Sequence, residues 1–289
     1  MRAVKSVSVP ADETHPRRRR RLAAADVRER MLAAAREIVS KTGVTVRVED
    51  LSLEQVIQHA RVPRSSVYRI WPYKEEFLDD LLCHLAGPDW LGGTVFDEQT
   101  IETVTEVVTA NRHRLSTAAG RRAVLCETVR LGVLRNLQAV TTSRERQIFT
   151  ALVVTLDSIR GDRARQRIQT ALERTETDLI GRMSEFYRQL CATLGLRPRH
   201  AEYTFPHLAA AGAALVEGFA LRARITREAT GSPAEAPQWT IQDVVENPLP
   251  GPGLDGQPAD WSPAAIAFLG LVDTYLEPDP GFRAPVETP

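Results

Sequence analysis

The stretch from Ser52 to Phe77, SLEQVIQHARVPRSSVYRIWPYKEEF, constrains this chain more than any other. Leu53, Val56, Ile57 and Ala60 recur at i, i+3, i+4 and i+7, the stripe of an amphipathic helix. Ser52 with Gln55 three residues on has the form of a capping box that fixes the helix start. Pro63 suits the first turn of a second helix, where a missing N–H costs nothing. Within that helix Val67, Ile70 and Trp71 form an apolar face, and Pro72 stops it. Arg64, Ser65, Ser66, Tyr68 and Arg69 are left pointing outward. A short basic face with hydroxyls, braced by a neighbouring helix, suits a DNA major groove. Arginine can bridge guanine O6 and N7, while serine and tyrosine hydroxyls serve bases or phosphates. The same pattern also reads as a solvated face on a small helical domain.

Ser52 to Lys74 resembles the DNA-binding signature of the TetR family of transcriptional regulators. Ser52, Val56, Ala60, Val62, Val67, Tyr68, Trp71 and Lys74 stand at the places of that signature without a gap. Ile57 replaces its small alanine, Arg61 its turn glycine and Pro63 its capping serine. At Arg61 the turn asks for a left-handed backbone that glycine adopts more cheaply. The resemblance implies an all-α fold, with a three-helix DNA-binding domain and a larger all-helical ligand-binding and dimerisation domain.

The charge distribution agrees with a nucleic-acid end. Net charge is zero over 289 residues, yet residues 1–74 hold 16 Lys and Arg against 8 Asp and Glu. The remainder is correspondingly acidic, so a basic head joins an acidic body. Residues 1–25 have the composition of a disordered basic arm. Their five arginines, Arg17 to Arg21, are either a solvated tail or a DNA-backbone arm. The opening residues lack the apolar core of a signal peptide, and no apolar run approaches a membrane span. Cys83, Cys126 and Cys191 are isolated, the usage of a reduced, cytoplasmic protein.

The spacing predicts a DNA-binding domain over 26–86, with a first helix over 26–42 capped by Asp26 and closed by Gly43. Before Ser52 the loop either offers Arg47 to a phosphate or is plain surface. Lys74 opens a fourth helix through Leu85. Glycines and prolines at 87–93 mark a domain boundary. A helical body is expected over 97–277, with helices near 98–117, 121–140, 144–160, 163–194 and 200–226. Residues 227–261 form a Pro/Gly-rich insertion, in which Trp239, Ile241, Val244 and Val245 suggest partial packing. Residues 278–289 read as a disordered tail.

Two stripes are candidate dimer surfaces: Leu208, Gly212, Leu215, Val216 and Phe219, and Phe268, Leu269, Val272 and Tyr275. Paired with their copies they would make a four-helix bundle, as the resemblance implies; packing on their own subunit is the other reading. Val133, Phe149, Leu152 and Leu156 are candidate lining for a ligand pocket, or plain core. The six histidines are scattered and no phosphate-binding loop, dinucleotide fingerprint or Glu-x-x-His appears. No catalytic residue, cofactor or metal is expected.

Base-facing contacts are expected from Arg64, Ser65, Ser66 and Arg69, and phosphate contacts from Tyr68, Lys74 and Ser52. The resemblance implies a homodimeric repressor on a palindromic operator, released by a small-molecule effector. Two alternatives stay open: a DNA-binding dimer governed by a protein partner, and an all-α protein whose head does not bind DNA.

Overall fold

The computed structural model describes residues 22–42, 50–91, 96–228 and 240–283. Gly43, Arg47, the arginines 17–21 and Trp239 lie outside them. The chain is all-α: α1 (Ala24–Thr42), α2 (Leu53–Ala60), α3 (Arg64–Ile70) and α4 (Lys74–Leu85) form the head. The body follows as α5 (Pro88–Leu91), α6 (Glu98–Ala110), α7 (Ala118–Thr142), α8 (Arg144–Thr155), α9 (Asp162–Leu194), α10 (Phe205–Glu228), α11 (Ile241–Val245) and α12 (Pro263–Tyr275). Two small antiparallel ribbons, absent from the sequence expectation, complete it. β1 (Leu196–Pro198) pairs with β4 (Leu276–Pro278), and β2 (Leu249–Pro252) with β3 (Pro258–Trp261).

Local chemistry sets most helix starts. The side chains of Asp97, Thr117, Ser143 and Ser262 each accept from the backbone N–H three residues on, capping α6, α7, α8 and α12. Asp26 does not cap α1: the helix begins two residues earlier, and Asp26 sits in its first turn, where a carboxylate still favours the helix dipole. Gly195 closes α9 in a left-handed conformation at φ 66°. Gly120 is required by space, since a Cβ there would lie 2.0 Å from the Arg114 carbonyl oxygen.

Arg61 ends α2 at φ 52° and ψ 43°, the left-handed conformation the turn demands. A side chain there costs backbone energy that glycine does not. Arg61→Gly is therefore expected to stabilise the chain by about 0.5–1 kcal/mol. Thermal melts followed by circular dichroism check this; a lower melting point would mean that the arginine side chain makes a compensating contact.

Apolar burial divides into two clusters. The head cluster joins Val27, Met31, Val56, Val67, Trp71, Phe77, Leu81 and Leu85 to Ile148, Phe149 and Leu152 of α8 and Ile168 and Leu172 of α9. The body cluster joins α7, the second half of α9, α10 and α12 around Leu179, Met183, Trp261 and Phe268. The head thus sits on α8 and α9, and its core does not end at residues 87–93. α9, with 33 residues, is about 50 Å long and contributes to both clusters.

The two stripes named as dimer candidates pack on their own subunit, the other reading the sequence allowed. Leu208, Gly212 and Val216 of α10 and Phe268 and Val272 of α12 are buried where these helices pack on each other and on α7. Leu215, Phe219, Leu269 and Tyr275 are half-buried against the same cluster. Gly212 permits the approach: a Cβ there would lie 2.6 Å from the Phe268 ring. Among the described residues, Leu221 and Ile225 of α10 and Ile266 of α12 are the large apolar side chains these helices expose.

The described part of the insertion, from residue 240 on, folds onto the body. Val245 is buried, while Ile241 and Val244 stay exposed. The β2–β3 ribbon seats Trp261 fully in the core, its indole N–H donating to the Pro252 carbonyl at 3.0 Å. Arg114 holds the hairpin through the Leu254 carbonyl, at 3.3 Å, and the Asp255 carboxylate.

Candidate nucleic-acid interface and body cavity

In the head, α2 lies on α1 and caps itself with the Ser52 hydroxyl, which accepts the Gln55 N–H at 3.4 Å. Pro63 stands at the N-cap of α3 rather than inside its first turn. Val67 is wholly buried and Trp71, the C-terminal cap, is 2% exposed. These two anchors fix the rotation of α3 about its axis. Arg64, Ser65, Tyr68 and Arg69 consequently face solvent, and Ser66 is half-buried. Tyr73 beside them is exposed, and Lys74 at the start of α4 is half-buried.

Arg64 is paired with Glu54 of α2, its Nε donating to the carboxylate at 2.8 Å. That bond holds the guanidinium above its ordinary pKa. The pair is solvent-exposed, where such bridges contribute little, so a phosphate or base can take the arginine over.

Asp80 is the residue that periodicity did not reveal. It sits among Phe77, Leu81 and Leu85 on the buried side of α4 and is 8% exposed. Its carboxylate accepts from the Trp71 indole N–H at 2.7 Å and from Arg167 of α9 at 2.7 Å, and pairs with Arg28 of α1. The Arg28 guanidinium also lies 5.7 Å from the centre of the Trp71 ring. One carboxylate therefore ties the end of α3 to α1 and to the body. A charged residue inside an apolar stripe was the available signal, because a buried carboxylate requires partners. The Thr175 hydroxyl adds a second tie, donating to the Ala86 carbonyl at 2.7 Å.

The body encloses a cavity between α6, α7, α9, α10 and α12, with about 60 Å³ for the centres of water-sized groups. Val133 lines it, together with Leu208, Gly212, Val216, Phe268 and Val272. Phe149, Leu152 and Leu156 do not: all three pack into the head cluster, because α8 turns its apolar face toward α4 and not toward α7. Burial pushes the Tyr187 phenol above its ordinary pKa and the Cys191 thiol up to about 12. Both are neutral at pH 7, and the cavity wall holds no thiolate.

Among the described residues no cluster of three metal-ligating side chains occurs, and no helix is long and apolar enough to cross a membrane. No family model and no curated protein matches the chain. Among solved structures, the reduced form of E. coli NemR is similar over 90% of this chain and 100% of its own, at 17% identity and a TM-score of 0.41. A putative TetR-family transcriptional regulator from Rhodococcus sp. is similar over 86% and 97%, at 16% identity and a TM-score of 0.39.

Proposed function

We propose that the chain is a sequence-specific DNA-binding transcriptional regulator of the TetR type, working as a homodimer whose grip on DNA is set by a small molecule in the body cavity. One observation carries the reading: α3 is pinned by Val67 and Trp71 so that Arg64, Ser65, Tyr68 and Arg69 share one exposed face. Inserted into a major groove, that face offers two guanidinium groups and two hydroxyls, with the Ser66 hydroxyl at its edge. Lys74, Tyr73 and the Ser52 end of α2 are the groups assigned to phosphates.

A seven-residue recognition helix reads only a short half-site, so useful affinity calls for two heads held together. Leu221, Ile225 and Ile266, the exposed apolar positions of α10 and α12, take the place of the buried stripes as the surface for a second copy. A ligand that binds the body better in one arrangement than in another then changes how well two heads fit one operator.

The test is selection of bound sequences from a random duplex pool with the full chain. A palindrome with half-sites about one helical turn apart, roughly 34–36 Å, is the expected result. Recovery of no preferred sequence, with binding lost at moderate salt, would reduce the head to a polyanion-binding surface.

A further inference from the structure

We infer that Arg146 is a two-position latch. Its guanidinium serves Glu217 of α10 in this structure and Glu176 of α9 in a second arrangement, so that α8, and the head with it, is fixed to one helix or to the other. The inference rests on the regulator reading above for its bearing on DNA, but the latch itself can be measured without DNA.

Burial sets the first condition. Arg146 is 4% exposed and stands in the first turn of α8, where the Ser143 hydroxyl accepts its backbone N–H at 3.0 Å. Its guanidinium lies 4.9 Å from the centre of the Phe149 ring, which belongs to the head cluster. Arg28 and Arg167, the partners of Asp80, have side chains about half exposed and can turn to water. Arg146 cannot, so its charge requires a carboxylate at all times.

The carboxylates set the second. Arg146 bonds Glu217 through Nη2, while its Nη1 stands 3.6 Å from Oε2 of Glu176, beyond hydrogen-bond reach. Nε and Nη1 of Arg146 and Oε2 of Glu176 are buried and have no hydrogen-bond partner among the described residues. A guanidinium carries five N–H donors, and buried donors are seldom left unused. Closing the 3.6 Å gap to an ordinary bond takes less than about 1 Å of movement. The Glu217 side chain is 25% exposed and that of Glu176 41%, so each carboxylate keeps a route to water when it is released. The cation must choose, and the anions need not.

The helices set the third. α8 gives Ile148, Phe149 and Leu152 to the head cluster. Glu217 precedes Leu221 and Ile225 by one and two turns of α10, on the face assigned above to a second copy. Glu176 lies on α9 between Leu172 of the head cluster and Leu179 of the body cluster. Covering the α10 face takes water from Glu217 and favours the bond seen here. A tilt of α9 toward α8 favours the other. Two carboxylates on helices with different neighbours make a bistable element that either side can bias.

A crystal structure of Glu217→Gln tests the second position directly. The neutral amide is the weaker acceptor, so Arg146 is expected to close on Glu176 to about 2.8–2.9 Å; an unchanged gap would overturn the inference. Thermal melts of the full chain supply a cycle. Glu176→Gln and Glu217→Gln should each lower the melting temperature by about 1–3 °C, since one carboxylate remains, and the double variant by roughly 6–12 °C, since none does. Additive losses, or nearly the whole loss in Glu217→Gln alone, would reduce the trio to an ordinary ion pair. In an Arg146→Met background, which removes the charge and keeps much of the bulk, the excess loss of the double variant should vanish. On the selected operator, Glu176→Gln should bind as the unaltered chain does, and Glu217→Gln about five- to tenfold differently. Equal binding by the two would overturn the link from latch to head. A non-additive cycle in a chain that selects no duplex would sink the regulator reading alone. Additive melts with a selected operator would do the reverse.

Discussion

Replacing Asp80 with alanine is expected to cost about 3 kcal/mol and to lower the melting temperature by roughly 6–12 °C. The side chain of Arg28 is 48% exposed and that of Arg167 46%, so both guanidinium groups can return to water when their partner is removed. The Trp71 indole cannot. Its ring lies in the head core against Phe77, with centres 5.1 Å apart, and its N–H would be left buried without an acceptor. Asp80→Asn keeps an uncharged acceptor for Trp71 and gives up the ionic part alone, so about half the loss is expected. Paired melts of the two variants separate the contributions. A shift under about 2 °C for Asp80→Ala would mean that water replaces the carboxylate and that the node is ornamental.

The second large effect is expected at Arg69. Arg69→Ala should weaken binding to the selected operator roughly 10- to 100-fold and change affinity for random duplex far less. Its guanidinium is exposed at the far end of the α3 face and no turn of the backbone covers it. Arg64→Ala should cost less, because Arg64 must first leave Glu54. Removing the competitor gives the complementary prediction: Glu54→Gln should tighten operator binding severalfold by releasing Arg64 and removing a negative charge near the phosphates. Equal losses on operator and random DNA for Arg69→Ala, with the salt slope reduced by about one, would reassign Arg69 to the phosphate backbone.

The head was legible because its signals are local. Periodicity over Leu53–Ala60, the proline after Trp71 and the lysine opening α4 each act within a turn of helix, and α4 begins and ends where the sequence places it. The left-handed Arg61 follows from its place in the signature this stretch resembles, where a turn glycine is usual. Asp80 escaped because its partners, Arg28 and Arg167, are 52 and 87 residues away. In the body, periodicity told which faces are buried and said nothing of what buries them. Leu208, Val216 and Phe268 are as apolar as an interface requires, but α7 and α9 already cover them. Phe149 and Leu152 take the plain-core reading for the same reason. The β2–β3 ribbon went unread since its strands carry Pro250, Pro252 and Pro258, residues that ordinarily argue against a strand and are tolerated in a two-stranded edge.

α9 passes through both clusters without a break, so its two halves cannot tilt independently. Met183, Tyr187 and Cys191 touch the cavity, while Arg167 and Ile168 hold the head. The two groups are about 20 residues apart, roughly 30 Å along the axis. As a stiff lever pivoting near the cavity, the helix would carry a tilt of about 5° into a displacement of roughly 2–3 Å at the head. In a symmetric pair the two displacements add, to roughly 5 Å against a half-site spacing of about 34 Å. A small change at the cavity is thus mechanically sufficient to shift the head by several ångströms.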